Sequence, residues 1–384
     1  MTLPQSPPAQ WRPLVVVCLL AGLFCGAVAL RGGFIDIAVY RYGADAIVHG
    51  IDLYGPRDGL PFTYPPFAAL LFTVTLPLPF ALLVAAWTTL SLAALGLVLH
   101  LFTDLTGWGL AGLTVAALAF EPVWSNLSFA QINLFLMAAI AYDLLRADRP
   151  ARAWNRAGWL IGIAAGIKLT PLLFVVFLVL VGRRSAAVTA VASFLATVAV
   201  DFAVLPRSSF AYWTEVLWDP NRVGGVAYAG NQSMLGFLTR VIGHQPSTAV
   251  WFLIAGAAAL ALLVLAASYW TSDRRLSVCL AASAMLVASP ISWNHHFVWA
   301  VPLAWCLLRR SRLAAAVWTL VFCSAVIWWP PAADDREVLW NAGQQLLGNA
   351  YLFALLLVGA YLAIAHRPEV AAPARSGAAT TVVS

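Results

Sequence analysis

The sequence predicts an all-α polytopic membrane protein, and three observations carry that expectation. Hydrophobic residues make up 62% of the 384 positions and charged residues only 10%, with a mean hydropathy of +0.85. Soluble domains carry about 25% charged residues, so the chain lies far outside that class. Runs such as LPLPFALLVAAWTTLSLAALGLVLHLF are long enough to cross a hydrocarbon core of about 30 Å as helices. A bilayer core offers no water to backbone amides, which leaves helices rather than loops or open sheet as the spanning form.

Apolar segments occur at 13–30, 63–80, 82–102, 107–123, 131–146, 158–182, 185–205, 248–270, 276–290, 294–308, 312–329 and 346–365. The segment 158–182 is interrupted by KLTP, where Lys168 is costly in hydrocarbon and Pro171 breaks the hydrogen-bond ladder. The expectation is about twelve transmembrane helices in a single integral domain, 1–367, with an external loop at 31–62. The first run is followed by LRGGFID rather than a small-residue cleavage site, so it reads as an anchor. The Ala/Thr/Ser-rich tail 368–384 is expected to be disordered and cytoplasmic.

Arginine sets the orientation. RADRPARAWNR (146–156), RR (183–184), DRR (273–275), RRSR (309–312) and HR (366–367) mark a cytoplasmic side. Segments 31–62, 206–247, 289–296 and 328–340 then fall on the opposite side. Three apolar segments between 62 and SFAQIN (128–133) break the alternation, so one of them is re-entrant or Gln131 lies on the other side. The net charge of +6 is dispersed between apolar runs, which argues against nucleic acid as a partner. Cys18, Cys25, Cys279, Cys306 and Cys323 lie in apolar runs without CxxC spacing and read as small core residues.

Polar chemistry concentrates in a few stretches. FIDIAVYRYGADAIVHG (34–50) carries Asp36 just beyond the first helix, placed to act as a base beside a lipid-borne substrate or else simply solvated. Asp45, Asp52 and Asp58 share that loop, and spacing does not rank them. RYGADAIVHG reads as an amphipathic helix on the lipid surface, with Ile37, Val39, Ala46 and Ile47 as its apolar contacts. SWNHH places His295 and His296 at the membrane edge, pointing to different faces so that one at most reaches a given site. Lys168, Gln131 and Asn133 of AQIN, and Asn231 and Gln232 of GNQS, fit phosphate or sugar binding as well as helix-to-helix hydrogen bonding. No Walker A loop, GxGxxG, HExxH or CxxC occurs, so a sugar donor reached from the far side of the membrane would be lipid-linked. Physics alone leads to a membrane enzyme or a transporter with a polar external cavity.

The combination FIDIAVYRYGADAIVHGIDLY…FTYPPFAALLF, AQINLFLMAAI, GIAAGIKLTPLLF, GNQSMLGFL and SPISWNHHFVW resembles the membrane mannosyltransferases of glycosyltransferase family 87. The resemblance runs from about residue 30 to 300, with Ala130 standing where relatives commonly have glycine. It implies a GT-C fold, an active site on the extracytoplasmic face of the cell membrane, and transfer from polyprenyl-phosphate-mannose to a cell-envelope glycolipid or lipoglycan. Inversion would give an α-1,2 linkage. The family's catalytic aspartate matches Asp36, the first residue of D-x-x-V-Y. Lys168 and one of His295 and His296 would hold the leaving phosphate, with Arg41 a weaker candidate. Tyr40, Tyr64, Gln131, Asn133, Asn231 and Gln232 would line the substrate site. No carboxylate cluster in the sequence demands a metal or other cofactor, although some GT-C enzymes use a divalent ion. Two alternatives stand beside this: a polyprenyl-phosphate-dependent arabinosyltransferase, and a transporter or lipid flippase. A transporter places its ionisable residues near the bilayer midplane and often shows repeated halves; no such repeat is found here.

Overall fold

The computed structural model describes residues 9–146, 157–332 and 336–365. The tail from 368 and most of the basic stretch 146–156 lie outside the described residues. Within them the chain is helical: α1 Arg12–Ala29, α2 Ile35–His49, α3 Pro66–Phe72, α4 Phe80–Thr103, α5 Gly107–Ala116, α6 Glu121–Phe129 and α7 Asn133–Leu145. There follow α8 Trp159–Ile167, α9 Leu173–Leu180, α10 Arg184–Val204, α11 Pro206–Thr214, α12 Met234–Ile242 and α13 Thr248–Tyr269. The last are α14 Arg274–Ala288, α15 Ala300–Leu308, α16 Arg312–Cys323, α17 Ala342–Gly348 and α18 Ala350–Ala365.

Local chemistry explains many of the boundaries. Proline opens α1, α3, α6 and α11, where the missing N–H is no loss. Ser233, Asp273, Ser311 and Asn341 cap α12, α14, α16 and α17 by accepting from a backbone N–H in the first turn. Gly50 and Gly243 end α2 and α12 in the left-handed conformation.

The expected count of about twelve crossings is not met by helix length. Four helices are individually long and apolar enough to cross a bilayer: Ala9–Ala29, Phe80–Thr103, Arg184–Val204 and Thr248–Tyr269. Two bent pairs, Gly107–Phe129 and Ala342–Ala365, raise the count to six if each is one span. The other apolar segments are shorter or broken, as at Lys168, where extended backbone (φ −150°, ψ 125°) separates α8 from the helical turn before α9. A multi-pass membrane protein remains the result. Its outward face is hydrocarbon, with Leu20, Leu23 and Phe24 of α1, Val188 and Val204 of α10, and Leu253 of α13 all exposed.

Two packing features place the site. Gly158, Gly162 and Gly166 form one face of α8, and a Cβ on any of them would strike Ala186, Ala190 or Thr197 of α10. That small-residue face lets the two backbones meet and holds Lys168 at the end of α8. Helix α14 is buried along Leu276–Val287, hydrophobic all round, and delivers the turn 289–296 to the middle of the bundle.

The break in alternation before Gln131 has a geometric counterpart. The helices Gly107–Ala119 and Glu121–Phe129 meet at 87° around Phe120, so the chain turns back before α7. Ala130 ends α6 in the left-handed region (φ 57°, ψ 47°), which is where a glycine would rest without steric cost. The loop helix α2 exists as expected, but not as a lipid-surface element. Ile37, Val39, Tyr40, Ala44 and Ala46 are buried in a core shared with Phe62, Ala68, Ala69 and Phe72.

Candidate active site

A cavity of about 470 Å³ opens where 34–65, 131, 168–170, 212–223, 248–252 and 288–296 converge. Its polar end is built by Asp36, Tyr64, Gln131, Lys168 and His296, and its apolar end by Val216, Leu217, Trp218, Trp251, Phe252 and Ile291. Asp36 lies in the first turn of α2. It is the one aspartate of loop 31–62 on the cavity wall. Asp45 pairs with His49 on the surface, Asp52 accepts from the Tyr54 N–H, and Asp58 is exposed.

Asp36 is held by the AQIN turn. The Gln131 side chain hydrogen-bonds its carboxylate, while Gln131 Oε1 accepts from Tyr40 Oη (3.0 Å) and Tyr64 Oη (3.3 Å). Tyr40 Oη in turn accepts from the Ile132 N–H at 3.3 Å. Burial pushes the Asp36 carboxyl up to about 6, against the lowering effects of Gln131 and the Lys168 charge. A carboxyl tuned upward in a cleft is suited to take a proton near neutral pH.

Opposite it, Lys168 Nζ donates to Asn133 Oδ1 (3.1 Å) and lies 2.8 Å from His296 Nε2. The Trp293 N–H donates to His296 Nδ1 at 3.2 Å, so the neutral imidazole carries its proton on Nε2. At 2.8 Å that N–H and the lysine nitrogen hydrogen-bond to one another, and both side chains line the cavity. An anionic oxygen entering between them would accept from both.

Sequence and structure part company at several residues. His295 is buried with neither ring nitrogen hydrogen-bonded, edge-on to Phe129, and does not line the cavity; His296 is the one that reaches it. Arg41 donates to the Leu76 and Leu78 carbonyls and braces the chain before α4, away from the cavity. Asn231 and Gln232 are structural. Asn231 accepts from the Ser233 and Ser292 N–H groups and donates to Val226 O. Gln232 donates to Ala229 O and Gly348 O and accepts from the Tyr351 N–H. These bonds tie the loop before α12 to itself, to Ser292 and to the α17–α18 junction.

Sequence reasoning missed Glu121 and Arg222. Glu121 is buried and accepts from Asn294 (2.6 Å), Trp328 (3.3 Å) and Tyr351 Oη (2.9 Å), anchoring the turn that carries His296. A carboxylate inside an apolar run was its available signal. Arg222 lines the cavity from the loop after α11 and had no distinguishing sequence signal. Among the described residues no three His, Cys, Asp or Glu side chains converge as a metal site.

The fold and the cleft define a polytopic helical membrane protein that gathers a buried carboxyl, a lysine and a histidine on one cavity. Comparison with known proteins gives the class its family. The glycosyltransferase family 87 model matches residues 62–290, and the chain belongs to that family and is a glycosyltransferase. It is 34% identical, over 94% of its own length and 90% of the relative's, to a Mycobacterium tuberculosis protein named polyprenol-phosphate-mannose-dependent alpha-(1-2)-phosphatidylinositol pentamannoside mannosyltransferase. A second M. tuberculosis protein, named for phosphatidylinositol mannoside instead, is 34% identical over 88% of each chain. A Mycolicibacterium smegmatis pentamannoside enzyme is 32% identical over 95% of each. No solved structure matches the chain.

Proposed function

We propose that the protein transfers mannose from a polyprenyl-phosphate-mannose donor to a hydroxyl of a phosphatidylinositol-mannoside-type glycolipid. The product is an α-1,2 linkage formed with inversion. The observation that carries this is the placing of Asp36 and the Lys168–His296 pair on one cavity whose far end is apolar. The names of relatives aligned over nearly the whole chain support the choice of sugar and lipids.

Asp36 takes the acceptor hydroxyl proton as that oxygen bonds to the anomeric carbon. The carbon–oxygen bond to the lipid phosphate breaks on the opposite face, and the phosphate leaves with the electron pair. Lys168 Nζ and His296 Nε2 donate to it, so charge develops against donors already in place. Phosphate is a competent leaving group, and no strong general acid is needed. Asn133 and the Trp293 N–H orient the two donors. The prenyl chain follows Leu217, Trp251, Phe252 and Ile291.

The active site faces the extracytoplasmic side of the cell membrane. Supporting this, the ion pair Arg310–Asp273 ties two of the arginine-bearing loops together and Arg275–Asp104 ties one of them to the α4–α5 turn, whereas the cavity is built from other loops. The test is transfer of radiolabelled sugar by the full-length protein in vesicles, from polyprenyl-phosphate-mannose or polyprenyl-phosphate-arabinose to a phosphatidylinositol mannoside. Mannose transfer abolished by Asp36→Asn is expected. Transfer of arabinose alone would overturn the substrate, and an active Asp36→Asn protein would overturn the base.

A further inference from the structure

We infer that Arg222 is a second anion-binding group of this cavity and takes the phosphodiester of the acceptor lipid. The inference rests on the function proposed above. Among the described residues two cationic side chains line the cavity, Lys168 at its polar end and Arg222 on the loop that follows α11. Their surroundings differ. Lys168 has an amide, an imidazole and the nearby Asp36 charge. The Arg222 guanidinium makes one hydrogen bond among the described residues, from Nη2 to the Tyr54 carbonyl, and its buried Nε has no partner. Its central carbon lies 5.8 Å from the centroid of the Tyr54 ring.

Other arginines of the molecule show what a structural arginine looks like here. Arg240 is 1% exposed and donates to the carbonyls of Ala227, Tyr228 and Asn231 and to Asn349 Oδ1. Arg275 and Arg310 pair with carboxylates. Arg57 also has an unpartnered guanidinium nitrogen, but Arg222 is the one of the two that lines the cavity, and a guanidinium fork matches two oxygens of a phosphate.

The chemistry assigns the anion. Both substrates of the proposed reaction are lipid phosphodiesters, and the leaving phosphate must lie within bonding distance of the anomeric carbon. Lys168 and His296 stand beside the base and serve it. The remaining phosphate belongs to the acceptor, whose glycan reaches from there to Asp36. The loop 219–223 and the loop 50–62, joined by the Arg222–Tyr54 bond, then close over that glycan.

The test uses the full-length protein in lipid nanodiscs with polyprenyl-phosphate-mannose as donor. The acceptor is either a phosphatidylinositol mannoside or an alkyl mannoside of the same glycan without phosphate. Arg222→Gln is expected to raise the KM for the phosphorylated acceptor about tenfold or more, the size of a lost charged contact. Donor KM stays within about twofold, and KM for the neutral acceptor does not move. Arg222→Lys, which keeps the charge without the fork, falls between. A rise in donor KM would give the fork to the donor phosphate and overturn the assignment. Equal losses toward both acceptors with a lowered thermal midpoint would make Arg222 a loop latch and overturn it too. A wild type that transfers nothing to either acceptor would sink the proposed function first and this inference with it.

Discussion

The AQIN turn and the GNQS turn are two short amide-bearing motifs of similar composition, both buried, and they do opposite things. Around Gln131 and Asn133, some hydrogen bonds run into Asn126 and the His295 carbonyl, but others reach Asp36, Lys168 and, through Lys168, His296, all three of which line a cavity. Around Asn231 and Gln232 they run into Arg240, Asn349, Tyr351 and backbone carbonyls, and stop there. The first network is open to a ligand and the second is closed on itself. Burial and residue type do not separate them; leftover donors beside accessible volume do. The teaching is that a buried amide is assigned by where its bonds end.

The largest expected effect lies in the open network. Asp36→Asn should lower kcat by about 10³-fold, in the range of a lost general base, without loss of fold. Because burial raises this carboxyl to about 6, the native state holds the proton more tightly than the unfolded chain does. Stability therefore falls as pH rises from the ordinary carboxylate range through 6. Asn in its place removes that cost, so at pH 7.5 the variant should melt no lower than wild type. A marked drop in its thermal midpoint would mean Asp36 is structural.

Next comes the histidine pair. His296→Asn should cost about 10²-fold in kcat, as for one lost donor to developing charge. His295→Asn should change kcat by less than threefold. Equal losses would break the distinction between cavity-facing and core-facing rings. The closed network should respond in the other currency. Arg240→Met is expected to destabilise by about 3 kcal/mol through orphaned carbonyls and Asn349, with activity per folded molecule retained. Lost turnover at unchanged stability would reopen GNQS as part of the site.

Two finer effects follow. The pH profile of kcat/KM should rise through an apparent pKa near 6, as the free base loses its proton, and an acidic limb displaced by more than about one unit would remove Asp36 as the base. Ala130→Gly should stabilise by about 1 kcal/mol or less, since alanine in the left-handed region carries a steric cost that glycine lacks. A destabilised variant would show that the Ala130 methyl group packs more than it strains.

Much of this was legible beforehand, for identifiable reasons. Lys168 stood out because a charge in an apolar run beside a proline has no cheap structural role, and it proved to mark both a helix break and the cavity floor. Asp36 stood out through the D-x-x-V-Y resemblance rather than its spacing, and it lines the cavity where Asp45, Asp52 and Asp58 do not. Arg41 donates to two backbone carbonyls, a use that its place in the sequence does not reveal. The count of about twelve is not confirmed by helix length, which gives four to six spans, because bent and short apolar helices read in the sequence like full-length ones.

By itself the sequence determined that the chain is helical and membrane-embedded, since composition fixes the solvent in which the backbone must satisfy its own hydrogen bonds. It also determined the family, through motifs spread over most of its length. Tertiary structure alone decided which polar residues face a shared volume. That depends on contacts between segments far apart in the chain, such as Asn133 with Lys168 and His296 with Lys168. No local pattern encodes the direction in which a buried side chain spends its last hydrogen bond.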